Sequence, residues 1–269
     1  MSDNGGAAGR RAGPRTVALI GPMGTGKTTL LEAILARTGA IQRQGSVEDG
    51  TAVGDVTAEA RSHGMSVELN IAETSFMGES IAFLDAPGSV EFWSEAEAAL
   101  PAVDLAIVVV EADAKKVPAL QLVMKRLEAL RIPRLLFLNK IDRTEIGVRA
   151  ALEMLQPSSA IPLVARHIPI RQHGIVTGFI DLALERAFIY REHATAEQVD
   201  MADEDRSREV EARFQMLEKL ADYDDVLMEE LLEDVQPTRE EIFADLVREV
   251  REGLVCPVLI GSALHGNGV

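Results

Sequence analysis

The run TVALIGPMGTGKTTLLEAIL, residues 16–35, limits the choice of fold more than any other stretch of the chain. A short apolar segment leads into GxxxxGK[ST], Gly21 to Thr28, and a helical pattern begins at once behind it. A glycine-rich turn between a buried strand and a helix lets successive backbone N–H groups wrap an anion at the positive end of the helix. In such a loop Gly21, Pro22, Met23, Gly24, Thr25 and Gly26 form a phosphate cradle, Lys27 reaches the outer phosphates, Thr28 offers its hydroxyl to Mg2+, and Thr29 completes the binding set.

The rest of the chain supports a sheet for that loop to sit on. TVALI, LAIVVVE and RLLFLNK each precede a helical pattern, as in right-handed crossover units of a parallel sheet covered on both faces. One hairpin breaks the alternation, because SVELNIAETSF and ESIAFLD are separated only by Met77-Gly78. After Pro157 the pattern changes to three short strands, IPLVARHIPI, GIVTGFIDL and RAFIY. Helices follow over roughly 206–222 and 224–234, and a third opens at Thr238, which forms a capping box with Glu241 and stops at Gly253. The expected organisation is a flexible tail at 1–14, an α/β doubly wound domain of the P-loop NTPase type at 15–157, an inserted acidic α+β subdomain at 158–253, and the last strand with its loop at 254–269.

Composition narrows the class further. A chain of 269 residues with 47% hydrophobic content has ample material for a core. The single cysteine, Cys256, excludes an intramolecular disulfide framework and reads as an inert core thiol. The N-terminus has no apolar signal region and no later run approaches the roughly 20 apolar residues of a membrane span, so a soluble, cytoplasmic protein without membrane partners is expected. Residues 191–250 hold 20 acids against 7 Lys plus Arg, much of the net charge of −16, and such a surface repels free nucleic acid. It is either a solvated helical face or a binding surface.

The P-loop alone does not select a base. The TLLEAIL continuation is shared with ABC-type ATPases, but an LSGGQ-type signature and a strand ending in Asp-Glu are both missing. LFLNKID favours guanine: Asn139 and Asp142 form NKxD at a strand end about 110 residues after the P-loop. There a carboxylate accepts both guanine N1–H and the exocyclic amine, and the Lys140 stem lies along the base. Ser262, Ala263 and Leu264 close the last strand, with the Ala263 N–H expected at guanine O6. Asp85, at the end of IAFLD, can reach a metal through water, and Gly88 can bring a backbone N–H to an anion; the same residues also fit an ordinary Pro-Gly turn. GTP or GDP with Mg2+ is the expected ligand set.

Together, GPMGTGKTTLLEAIL, RQGSVEDGTAVGD, HGMSVELN, DAPGSVEF, LLFLNKIDR, IPIRQHGIVTGFIDL and VLIGSALHGNGV resemble the N-terminal part of a translational GTPase of the elongation factor G-like group, over nearly all of residues 15–269. The resemblance implies a GTPase domain that works on the ribosome, with an insert facing the ribosomal stalk proteins and further domains beyond this chain. It also implies departures. Gly24 stands where the group has an aspartate, Ser66 where it has the switch threonine that binds Mg2+, and His63 where it has an arginine. Met23 and Met65 replace smaller apolar residues beside the attacking water. Ser89 stands where the group has a histidine that orients that water, so intrinsic hydrolysis is expected to be very slow; Lys27, Ser89 and His63 are the candidate catalytic residues. The alternative is a GTP-dependent binding module that docks on the ribosome or another partner without hydrolysis. Oligomeric state is not legible.

Overall fold

The structure is a computed structural model that describes residues 15–53, 68–89, 91, 93–144, 146–191 and 194–269. The expected tail at 1–14, and His63, Met65 and Ser66, lie outside the described residues.

Along the chain run β1 (Arg15–Ile20), α1 (Lys27–Arg37), β2 (Asn70–Phe76), β3 (Glu79–Asp85), α2 (Trp93–Ala99), β4 (Leu105–Val110), α3 (Val117–Ala129), β5 (Arg134–Leu138) and α4 (Val148–Leu155). They are followed by β6 (Leu163–Ala165), β7 (His167–Gln172), β8 (Ile175–Asp181), β9 (Arg186–Arg191), β10 (Ala194–Val199), α5 (Asp203–Ala221), α6 (Asp225–Leu232), α7 (Arg239–Glu252) and β11 (Cys256–Ile260). The large sheet has the order β2-β3-β1-β4-β5-β11-β6. Every pairing in it is parallel except β2 with β3, which the Met77-Gly78 turn joins as an antiparallel hairpin, both turn residues having positive φ (51° and 82°).

Alternation along β1 decides which helices cover which face. Val17 and Leu19 pack with Leu30, Leu31 and Leu35 of α1, while Ala18 and Ile20 face the opposite side with Leu120, Met124 and Leu127 of α3. Each fully buried leucine contributes about 2 kcal/mol of transfer free energy, so this two-sided burial fixes the register of β1. The chain leaves β1 toward β3 on one side and later returns to β4 on the other. The loop after β1 therefore lies at the point where strand order reverses, where open α/β sheets bind ligands.

The second layer of structure is a four-stranded antiparallel sheet, β10-β9-β8-β7, covered by α5–α7. Its core unites Ile168, Ile170 and Ile180 with Met216, Leu217 and Leu220 of α5 and Ile242 and Leu246 of α7. The capping box at Thr238 forms, and Gly253 ends α7 in the left-handed region at φ 72°. Two sequence expectations need correction. IPLVARHIPI is two strands: Leu163–Ala165 pairs in parallel with β11 in the large sheet, and His167–Gln172 begins the small one. A further strand, ATAEQV, was not expected, because it carries only one large apolar residue and most of its side chains are exposed at the sheet edge. Backbone pairing with β9, the Arg191–Glu197 ion pair and the packing of Val199 on the core of the small sheet hold it.

Arg166, the one residue between the two sheets, joins them. Its N–H donates to the Val258 carbonyl (3.0 Å), its carbonyl accepts from Leu182 N–H (3.0 Å), and its guanidinium forks onto Asp181 (Nε 3.0 Å, Nη2 2.8 Å). No helix among the described residues is long and apolar enough to cross a membrane.

Candidate nucleotide-binding site

The loop after β1 folds as it does because three of its residues lack side chains. A Cβ on Gly21 (φ 147°) would lie 2.2 Å from the Val109 carbonyl oxygen, and one on Gly26 (φ 92°) would lie 2.4 Å from Asn139 Nδ2, so neither position takes another residue. Gly24 is also in the left-handed region, at φ 72°. Thr25 Oγ1 donates to the Pro22 carbonyl (2.9 Å), closing the turn, and α1 starts at Lys27 with no side chain capping its N-terminus. That leaves the helix end, with its partial positive charge, facing the loop.

Lys27 reaches back over the loop and donates from Nζ to the carbonyls of Gly21 (3.1 Å) and Pro22 (3.0 Å). Burial pulls its ammonium down to about 8; Asp85 works against that shift and Lys116 adds to it. Parallel pairing of β1 with β3 sets Leu19 beside Asp85 and so brings the two strand ends to one edge. There Thr28 Oγ1 donates to Asp85 Oδ2 at 2.7 Å, both residues being buried. A hydroxyl and a carboxylate converging at the mouth of a phosphate loop are a donor set that suits Mg2+. Among the described residues no group of three or more His, Cys, Asp or Glu could hold a metal. Gly88 presses against the same loop: a Cβ there would lie 2.4 Å from Lys27 Nζ and 2.9 Å from Met23 N. Its backbone thus stands where the loop and Lys27 meet. Ser89 is half-buried beside it, and its Oγ accepts from Glu91 N–H at 3.4 Å.

Asn139 ties three segments together from the end of β5. Its Nδ2 donates to the Thr25 carbonyl (2.7 Å), its Oδ1 accepts from Ala263 N–H (2.8 Å), and its own N–H donates to the Val110 carbonyl (2.7 Å). The Ala263 donor expected at guanine O6 is therefore engaged by Asn139 in this geometry. Lys140, at φ 60°, donates from Nζ to the Gly24 carbonyl (2.7 Å), and its stem spans the P-loop. Burial lowers its pKa, with Arg143 adding to the shift and Asp113 and Asp142 opposing it. Asp142 stands at the rim with Arg143 and His265 each 3.8 Å away. Ser262 pairs with Asn267 across the last turn.

These residues surround a cavity of about 510 Å³ whose walls include Met23, Gly24, Gly26, Lys27, Thr28, Thr29, Gly88, Asn139, Lys140, Asp142 and Leu264. Four more wall residues, Gly45, Ser46, Val47 and Glu48, lie in the RQGSVEDGTAVGD stretch, to which the sequence reading gave no binding role. The buried carboxylate of Glu32 places them, accepting N–H of Gly45 (2.8 Å) and Val53 (2.6 Å), while Gln44 Nε2 donates to the Ala263 carbonyl (3.0 Å). Cys256 is fully buried and its thiol is pushed up to about 12, as an inert core thiol requires.

A strand–glycine loop–helix at the switch point, with a second loop set by NKxD at the neighbouring strand end, defines a P-loop domain of the guanine-nucleotide class. The chain belongs to the family described as the elongation factor Tu GTP binding domain, which matches residues 13–269. It is 40% identical to the elongation factor G-like protein of Synechocystis sp. over 95% of this chain and 38% of that protein. It is 29% identical to elongation factor G 2 of Syntrophomonas wolfei, over 95% of this chain and 37% of that one. A crystal structure from Thermus thermophilus superposes with a TM-score of 0.83 at 34% identity, over 94% of this chain and 38% of that one. The chain is thus an elongation factor Tu-type GTP binding domain by family, similar to part of the elongation factor G-like proteins, and it spans less than two fifths of the length of the curated relatives it matches.

Proposed function

We propose that this chain binds GTP and GDP with Mg2+ and hydrolyses GTP slowly, as the nucleotide-reading part of a translation protein that works in the cytoplasm on the ribosome. The observation that carries the reading is Asn139, which locks the P-loop to the last loop and so sets Asp142 three residues on at the same cavity. Asp142 accepts guanine N1–H and the exocyclic amine, Lys140 lies along the base, and Ser262, Ala263 and Leu264 form the loop at guanine O6. Lys27 holds the outer phosphates, Gly88 N–H meets the γ-phosphate, and Thr28, Asp85 and Ser66 hold Mg2+. When bound, Mg2+ neutralises charge between the outer phosphates. The domain division keeps the sequence reading, residues 15–157 and 254–269 as the nucleotide domain and 158–253 as the insert, with β6 at the start of the insert completing the large sheet.

Hydrolysis needs a water in line behind the γ-phosphate. The Ser89 hydroxyl is shorter than an imidazole, cannot become cationic, and lies near Glu91 N–H. Losing an orienting group typically costs roughly 10²- to 10⁴-fold in rate. The same observation favours a second reading, a GTP-dependent docking module whose GTP state persists. His63, outside the described residues, is the other candidate for the missing group. The acidic insert is read as a surface for ribosomal stalk proteins and not for free nucleic acid; α5 and α6 expose Val210, Phe214, Val226 and Leu232 among their acids.

Single-turnover hydrolysis by the full-length protein, with and without ribosomes, separates the two readings. Slow turnover that rises in Ser89→His with ribosomes present supports the slow GTPase with an otherwise intact site. Wild-type turnover of about 1 per second or faster with ribosomes contradicts the assignment to Ser89 of the slow step. No turnover in either protein supports the docking module.

A further inference from the structure

Beyond Lys27 and Lys140, a third lysine reaches the P-loop. Lys116 ends the turn Ala114–Lys116 that leads into α3, and the turn is fixed by Asp113, whose side chain accepts Lys115 N–H (2.9 Å) and whose carbonyl accepts Lys116 N–H (3.0 Å). The Lys116 side chain is 26% exposed. A side-chain carbon placed on Gly24 would lie 3.5 Å from Lys116 Nζ, an ordinary contact, so the ammonium stands directly beside the loop, in space that a side chain extending beyond Cβ would contest. Glu111, itself only 17% exposed at the end of β4, holds it there through a short ion pair and at the same time binds Lys140 Nζ at 2.9 Å. The Lys116 and Lys140 ammoniums thus converge on one carboxylate, and burial lowers the Lys116 pKa, with Lys140 adding to the shift. Like charges gathered in one place repel unless an anion arrives to share them. One of the three N–H donors of Lys116 goes to Glu111, and an ammonium has two more.

We propose that Lys116 is a second polyphosphate-facing cation of this site, laid over the P-loop at Gly24 and held ready by Glu111. The inference rests on the guanine-nucleotide reading and adds to it a residue that no motif contains. A ligand anion shared between Lys27 and Lys116 relieves their repulsion, so the gain belongs to the outer phosphates and not to the base.

The test is calorimetric titration of this chain with GDP, GTP and GMP, in wild type, Lys116→Met, Lys116→Arg and the exposed neighbour Lys115→Met. The expected result is a loss of about tenfold in affinity for GDP and GTP in Lys116→Met, the range of one charge-assisted hydrogen bond. GMP affinity, the Lys115→Met variant and the charge-preserving Lys116→Arg stay within about threefold of wild type on the same grounds. Unchanged GDP and GTP affinity in Lys116→Met overturns the proposal and reduces Lys116 to a counter-ion of Glu111. An equal loss for GMP overturns it as well, placing the effect in the packing of Lys140. A tenfold loss in Lys116→Arg does the same by showing that shape, not charge, matters. Wild type that binds neither GDP nor GTP removes the nucleotide reading and this proposal with it, whereas nucleotide binding that ignores Lys116 removes this proposal alone.

Discussion

Replacing Asn139 with alanine leaves the Thr25 carbonyl and the Ala263 N–H without their partner, two buried groups at about 1–3 kcal/mol each. The expected outcome is a lower melting temperature together with a loss of GDP affinity, read by thermal unfolding with and without GDP. Wild-type melting in both conditions contradicts the role of Asn139 as the link between loops. Lys27 supplies a pH signature. Its pKa of about 8 lies below the ordinary lysine value, and a bound polyphosphate favours the ammonium and raises that pKa. Binding therefore takes up protons near pH 8, and affinity falls as pH rises above about 8. Titration of GDP in two buffers of different ionisation heat checks this, and no net proton uptake between pH 7.5 and 8.5 speaks against it. Lys27, Asp85 and Asn139 were legible in sequence because strand end and motif spacing fix them locally. Glu32, Gln44 and Glu111 were not, since only the folded chain sets what each holds: Gln44 meets Ala263 from 219 residues away, and Glu111 gathers Lys116 and Lys140.

At the scale of elements, the alternation of apolar strands and amphipathic helices was enough to give the parallel sheet, the hairpin and all three helices of the insert. Leu163–Ala165 and His167–Gln172 read as one run because both are apolar, and only the ladder on β11 reveals that the chain changes sheets at Arg166. The junction is sensitive to acid. Burial works to raise the Asp181 carboxyl, but the hydrogen bond from His167 and the Arg166 charge outweigh it and hold the group below the usual carboxylate range. Burial keeps His167 neutral, with a pKa below 6.5 in spite of Asp181. Both folded pKa values are lowered, so the stability they confer is present above the unfolded pKa values and is lost as pH falls through the folded ones. Arg166→Ala strips a buried carboxylate of its partner and is expected to destabilise the protein by roughly 3 kcal/mol at pH 7, with a smaller difference at low pH where Asp181 takes up a proton. A denaturant midpoint that matches wild type at pH 7 is the contrary result.

For the molecule as a whole, the insert and the nucleotide domain share structure through β6, which covers the outer edge of β11, and through Val176, which packs in the main core. Deleting residues 158–253 removes that edge strand and bares β11 for pairing with other chains. Light scattering of the deletion variant is therefore expected to report aggregation, and a monodisperse variant with wild-type melting contradicts the coupling. The site to which this frame leads combines a polyphosphate cradle with an acidic reader of guanine. Calorimetric titration of this chain with GTP and ATP at equal Mg2+ tests it most directly. Buried polar sites that pair with a ligand's donors reject analogues lacking them by roughly 10⁴-fold, so GTP is expected to bind with a clear isotherm where ATP gives almost none. Comparable affinities for the two nucleotides would contradict the account.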